Sequence, residues 1–553
     1  MGLAGRRAAA IGEISFNAPK EESVVNWGQS SPDKPNGEEK EMRKEVIKAV
    51  IVVFIASFCT MVIELVAGRI MAPYVGVSLY TWTSIIGVVL AGISIGAYVG
   101  GTLADRFPTP RTLGWLLFIS GMAALTISPL TGAVARWPLQ TSLMLRILIV
   151  TTTIFFLPSC LLGMISPVVV RLSLDRLDRS GNVVGKIYAF STLGSILGTF
   201  ATGFFLISWM GTRNILLLMS LILIICSPLF GGAFLKRRVL MILFPVLFIS
   251  LWALHDQAFT KQRDENSYYF KETDYFTIEL KKSQKNGKNL ESVILDNLIH
   301  SFVDLNDPLH LQYGYERTYA DLVEWKAKIK PQFRVLIIGG GGYTFPRYLE
   351  AKYAGAQIDV IEIDPHLTHL AYQFLGLSRT SRIRSFNNDA RWVLMNFPEK
   401  GVYDFIFGDA FNDLSIPYHL TTREFGFILR SLIKPDGMLI ANVIDHFQTG
   451  LFMPSYVRTL EEVFGRGKVA LASDTPFEEM GISTMIVAAS TSGHSWKEAE
   501  KIKEKTCFVV APKELDQKLQ NRFAVILTDD YAPVDNLTAP IFEERFGGKK
   551  KWD

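Results

Sequence analysis

The chain has 553 residues, of which 49% are hydrophobic and 20% charged, with a formal charge of +4 and a mean hydropathy of +0.23. Low hydrophobicity with high net charge is what keeps chains unfolded, so disorder as the main state is excluded, and four cysteines exclude a disulfide scaffold. The length suggests three or four domains, and the apolar excess puts part of them in lipid.

Residues 1–42, polar and rich in Pro, Gly, Ser and Glu, are expected to form a disordered tail and not a signal peptide, since no apolar core follows the early arginines. A bilayer core of roughly 30 Å takes about 20 helical residues. Seven apolar runs approach that length: Val46–Val66, Trp82–Leu103, Leu113–Val134, Leu143–Ile165, Ile187–Trp209, Ile215–Phe230 and Val239–Leu254. They define a transmembrane helical domain over 43–256. Short cytoplasmic loops carry the excess Lys and Arg. Arg43, Lys44 and Lys48, then Arg106 and Arg111, then Arg171, Arg176, Arg179 and Lys186, then Lys236, Arg237 and Arg238 all fall at one end, leaving Arg69, Arg136 and Arg213 at the other. The N-terminus is therefore expected inside, in an integral multi-pass protein of a cell's inner membrane. Seven spans would carry the rest of the chain outside, unless a re-entrant stretch, expected at Pro158–Pro167, reverses the count.

Gly92, Gly96 and Gly100, like Gly194 and Gly198, recur every four residues and are expected to let helices approach closely. Glu64 is an intramembrane carboxylate, which needs a partner or a wet cavity, and Arg69 either reaches toward it or marks the interface. The loop Gly101-Thr-Leu-Ala-Asp105-Arg106 resembles the loop between spans two and three of major facilitator transporters. Six or seven spans make about half such a machine, so autonomous transport would need a homodimer.

Beyond residue 256 the texture is that of a soluble protein. Phe276–Leu280, Leu290–Leu295 and Ile299–Val303, with a hairpin signal at Asn286-Gly287, predict a small β-domain over 270–325. Over 326–545, the strands Arg334–Ile338, Ile358–Ile363, Ile383–Phe386, Phe405–Phe407 and Met438–Asn442 alternate with helical stretches and predict a mostly parallel Rossmann-like sheet. Val469–Ala472 and Thr484–Ala489 follow as an antiparallel edge. Ligands bind at the carboxyl ends of such strands. Those ends read Gly339-Gly-Gly-Gly342, Glu362-Ile-Asp364, Asn388-Asp389-Ala390 and Gly408-Asp409, a convergence of glycines and acids that predicts nucleoside binding. Pro346 in the first turn and Thr344 at the third glycine position argue against a dinucleotide and for a ligand of the S-adenosylmethionine type.

These strand ends, with Leu295-Asp296-Asn297 and Tyr315-Glu316 upstream, resemble the spermidine and spermine synthase family over roughly 275–490, and more closely its membrane-fused members. The resemblance implies a methyltransferase-type fold and transfer of an aminopropyl group from decarboxylated S-adenosylmethionine to a di- or polyamine, releasing methylthioadenosine. It implies Asp409 as the base that takes the amine's proton, with Tyr315 orienting the amine. Gly339, Gly340 and Gly341 would pass beneath the nucleoside, Glu362 would bind ribose, and Asp389 with Ala390 the adenine. His300, where the family has Gln, and Asp413 would contact the amine. The family's loop reads Gly-Gly-Gly-Asp-Gly-Gly, and Gly342 stands in place of that aspartate, which relaxes selection against the carboxylate of ordinary S-adenosylmethionine. Two alternatives follow: an S-adenosylmethionine-dependent methyltransferase, or a polyamine or nucleoside transporter or sensor with a non-catalytic domain. The sulfonium is a co-substrate, and no permanently bound cofactor, metal or nucleic-acid partner is expected. The expected partners are the bilayer, the amine and nucleoside substrates and a second copy of the chain.

Overall fold

The computed structural model describes residues 37–76, 78–134, 141–174, 180–231, 266–296, 298–327, 332–410, 416–490, 492 and 507–546. The chain divides into one compact unit ending at Ile47 and a second running from Lys48, which holds the features below. Residues before 37, the seventh apolar run, Asn297, Asp413 and Lys549–Lys551 lie outside the described residues.

Helix α1 spans Gly37–Val75 and so begins inside the expected tail. Among the described residues, five helical segments are long and apolar enough to cross a membrane: Lys44–Ala72, Leu79–Arg106 (α2), Pro110–Val134 (α3), Leu143–Ser173 (α4, Leu143–Gly163, and α5, Ile165–Ser173) and Gly181–Phe230. The last comprises α6 (Ser180–Ala201), a π turn at Thr202–Leu206 and α7 (Ile207–Phe230). Fifty helical residues extend about 75 Å, over twice a bilayer core. The run is broken at Gly211, whose φ of 74° and ψ of 158° end the helix, so it holds the expected fifth and sixth runs on either side of one break. The Pro158–Pro167 stretch, where a re-entrant turn was expected, is helical. The Met164 N–H bonds the Cys160 carbonyl at 3.2 Å and helix continues on both sides.

The spaced glycines are contact points. A Cβ on Gly92 would sit 2.8 Å from Ser159 Cβ and one on Gly100 2.6 Å from Met164 Cα, so α2 lies against α4 and its end. Gly194 and Gly198 likewise face the carbonyls of Phe54 and Phe58 on α1. Arg69 does not turn back toward Glu64. It leaves the bundle to bond the carbonyls of Thr273 and Asp274 in the soluble half.

That half starts with an antiparallel sheet, β1 (Ser267–Glu272), β2 (Thr277–Lys285), β3 (Lys288–Leu295) and β4 (Leu298–Val303), in sequential order. Asn286 and Gly287 both take positive φ, 50° and 76°, as a tight hairpin between β2 and β3 requires. After α8 (Gly314–Ala327) comes an eight-stranded sheet: β5 (Arg334–Ile338), β6 (Gln357–Glu362), β7 (Arg384–Asn387), β8 (Tyr403–Gly408), β9 (Ile433–His446), β10 (Val469–Ser473), β11 (Ile482–Ser490) and β12 (Phe508–Val510). The spatial order is β7-β6-β5-β8-β9-β11-β10-β12. β5 to β9 pair in parallel, while β11 runs antiparallel to both β9 and β10. Helices α9 (Thr344–Lys352), α10 (Pro365–Phe374), α11 (Ala390–Met395), α12 (Arg423–Leu432), α13 (Phe452–Phe464), α14 (Pro512–Leu519) and α15 (Val534–Phe546) complete it.

The sheet docks on one end of the bundle. The Leu79 N–H donates to Asp535 at 2.8 Å, Tyr80 donates to Asn536, and Ile541 and Phe542 of α15 enter the apolar core of the spans. The α2–α4 packing carries a test. Gly100→Leu overpacks a backbone contact and should cost about 1–3 kcal/mol, read as a lower melting temperature in detergent. Gly101→Leu, which meets nothing within 4 Å, should leave the melt unchanged.

Candidate active site

Strand order reverses between β5 and β8, and the crevice opens where their carboxyl ends diverge. Gly339 leaves β5 with φ of 101°, and a Cβ there would collide with the backbone of Asp409 at the end of β8. Glycine is therefore obligatory where the two loops touch. The loop's N–H groups are taken by neighbours: Gly339 donates to the Ile361 carbonyl at 2.8 Å, Gly340 to Glu362 Oε2 at 2.7 Å and Gly342 to Ser301 Oγ at 2.9 Å.

Glu362 also accepts the Asp364 N–H on Oε1 at 2.9 Å. Burial pushes its carboxyl up to about 7, against the pull of these N–H groups. Glu362 also lines the crevice, where a carboxylate acceptor suits a ribose diol. Asp389 caps α11, accepting the Trp392 N–H at 2.9 Å, and its other oxygen meets His419 Nε2 at 2.9 Å. Burial opposes these contacts, which nonetheless hold its carboxyl below the usual range. His419 is thus a partner of Asp389 in the crevice.

Two cavities share this crevice. The first, about 170 Å³, is lined by Gly339, Gly341, Glu362, Asp389, Ala390, His419 and the aromatic pair Tyr275 and Phe276. The second, about 460 Å³, is lined by Gly339 to Gly341, Tyr313, Tyr315, Glu316, Tyr319 and Asn442. Asp409 and His300 line both. The expected residues are brought together, except Asp413, which lies outside the described residues.

Asp409 accepts a hydrogen bond from Asn442 Nδ2, and burial pushes its carboxyl up to about 7 against that bond. Burial, with the Asp409 charge second, lifts Glu316 to about 8 and holds the Tyr315 and Tyr319 hydroxyls well above their ordinary value. Two buried acceptors in the second cavity, Glu316 Oε2 and Asn442 Oδ1, have no hydrogen-bond partner among the described residues. Unmet acceptors around raised carboxyls suit a ligand rich in N–H donors. Glu316 was legible as part of the Tyr315-Glu316 pair, without a role. Asn442 was not, being one polar residue inside an apolar strand.

Sheet order and crevice define a Rossmann-like domain of the methyltransferase type, joined to a helical bundle. No family model matches the chain. Its C-terminal part is homologous to the polyamine aminopropyltransferases: it is 37% identical over 137 residues to the polyamine aminopropyltransferase of Vibrio vulnificus, covering 25% of this chain and 44% of that protein. It is also 28% identical over 163 residues to the N-terminal histidine N-methyltransferase of Emericella nidulans, covering 28% of each chain. Among solved structures, a probable spermidine synthase from Corynebacterium glutamicum is 22% identical, with a TM-score of 0.42, over 48% of this chain and 96% of that one. The chain thus spans less than half the length of both curated relatives.

Glu362 tests the first cavity. Glu362→Gln turns one acceptor into a donor facing backbone N–H groups, so methylthioadenosine, measured by calorimetry, should bind about tenfold or more weakly, equivalent to about 1.4 kcal/mol.

Proposed function

We propose that the protein transfers an aminopropyl group from decarboxylated S-adenosylmethionine to a di- or polyamine. What carries the reading is Asp409, which lies where the two cavities meet, with nucleoside-type groups on one side and unmet acceptors on the other. In the reaction, the amine nitrogen attacks the aminopropyl carbon bonded to the sulfonium. A C–N bond forms, the C–S bond breaks with its electron pair passing to sulfur, and methylthioadenosine leaves. An amine with a solution pKa near 10 must first lose a proton, and Asp409, raised to about 7, is placed to take it. Tyr315, held protonated, serves as a donor that orients the amine.

Because a base acts ionised, activity should climb with pH up to about 7 and level off above it. Asp409→Asn should lower kcat by about 10²-fold or more while sparing methylthioadenosine binding. Unchanged turnover in that variant sinks the assignment.

Methyl transfer from ordinary S-adenosylmethionine is the second reading, favoured by one observation. A Cβ on Gly342 would sit 2.7 Å from Ser301 Cβ and 2.8 Å from Val303 Cγ2, so the loop has no room for the family's aspartate. The Emericella relative, by name, methylates an N-terminal histidine. Mass spectrometry of an amine panel with each sulfonium donor separates the two: a gain of an aminopropyl group supports the first reading, a gain of a methyl group the second.

We also propose that the chain is an integral membrane protein with its N-terminus cytoplasmic and its soluble half on the opposite face. Support comes from Lys48, Arg106, Arg111, Arg171 and Lys186, which by sequence position fall at one set of helix ends, while the sheet docks at the other, beside Arg69, Leu79 and Thr212. The Gly101–Arg106 stretch, expected as a loop, is the last turn and a half of α2, and its Asp105 lies 3.6 Å from Arg171. All four cysteines are buried, Cys507 included, so none reports the side of the membrane. An introduced thiol does: Gln284→Cys, exposed on β2, should label with a membrane-impermeant maleimide on intact cells, and labelling only after lysis overturns the orientation.

A further inference from the structure

Residues 273–276 join β1 to β2 and end in Tyr275 and Phe276, the aromatic wall of the first cavity. This turn is gripped from two sides. Toward the crevice, the Thr273 hydroxyl donates to Asp364 Oδ2 at 2.6 Å and accepts the N–H groups of Tyr275 and Phe276 at 3.2 and 3.0 Å. Asp364 caps α10 and gives its own N–H to Glu362. Toward the bundle, the Arg69 guanidinium donates to the Thr273 carbonyl at 2.8 Å and to the Asp274 carbonyl, and Ser208 donates to the Asp274 carboxylate. The Thr212 N–H and hydroxyl donate to the two oxygens of Glu272 at 2.8 and 2.9 Å. Thr212 has its N–H to give because Gly211 breaks the helix just before it, leaving a first-turn donor unspent.

We propose that Arg69, supported by Thr212, is a positioning residue for the nucleoside pocket. The membrane bundle holds the pocket's aromatic wall and, through Thr273 and Asp364, braces the Glu362 carboxylate. A planar guanidinium on two successive carbonyls fixes the direction of a turn as well as its place. Displacement of about 1 Å in such a support is enough to cost up to 10²-fold at the site it serves. The inference rests on the nucleoside reading of the first cavity.

The test uses the full-length protein in nanodiscs, with methylthioadenosine binding and steady-state kinetics as readouts. Arg69→Ala should raise the methylthioadenosine Kd and the donor KM about tenfold, with the acceptor KM unchanged, and Arg69→Lys, which keeps one donor, should recover part of the loss. Thr212→Val, which removes only the hydroxyl's bond to Glu272, should raise the same Kd about threefold, a single neutral-to-charged hydrogen bond being involved. A wild-type Kd in Arg69→Ala that retains its elution volume and melting temperature overturns the proposal. If Arg69→Ala does not fold, a wild-type Kd in Thr212→Val does so. Wild-type protein that binds neither methylthioadenosine nor S-adenosylhomocysteine removes the nucleoside reading itself. Wild-type binding with indifferent variants removes only the role of the bundle.

Discussion

Glu362 is 4% exposed and spends both oxygens on backbone N–H groups, one from the glycine loop and one from the exit of its own strand. A carboxylate stripped of water is costly unless its lone pairs are satisfied, and here the partners are main-chain donors that cannot move without moving two loops. The exits of β5 and β6 therefore behave as one rigid piece. Gly339 presses that piece against the Asp409 backbone, Asp364 carries it to Thr273, and Thr273 meets the guanidinium of α1. Asp409, the glycine loop and α1 are all referenced to a single buried carboxyl group.

Much of this was legible in the sequence because the governing rules are local. Bilayer-length apolar runs placed the long helices among the described residues, period-two and alternating patterns placed β2 to β11, and the antiparallel edge followed from the missing helix between its last two strands. β1 was not legible. Its Ser-Tyr-Tyr-Phe-Lys-Glu run has no clean alternation, and its place comes from pairing with β2 and from the Glu272 bond to Thr212. β12 has three residues, too few for any period. The sixth apolar run was separated from the fifth by composition alone, whereas the break at Gly211 is a backbone conformation that only the fold displays.

Site residues divide the same way. Glycines and acids at strand ends announced themselves, since loops at carboxyl ends are where chemistry collects. Asn442 did not, because its role depends on register: Gly408 pairs with Ala441, which puts the next residues, Asp409 and Asn442, side by side. His419 becomes meaningful only through Asp389, thirty residues away in sequence. The raised acids Asp409 and Glu316 act on each other's charge, so their affinity for a cation belongs to the pair.

The docked end of the bundle has a consequence for how the two reactants arrive. On the proposed orientation, an acceptor amine and a sulfonium nucleoside face the bilayer as chemically different travellers. A di- or polyamine must shed every one of its protons, each with a pKa near 10, to enter hydrocarbon as a neutral base, whereas a sulfonium has no proton to lose and stays a cation at every pH, at a cost of several kcal/mol at the bilayer centre. On that reading the bilayer holds back both reactants, the donor through its fixed charge and the acceptor through its several protons, and their supply to the far face sets when the site can turn over.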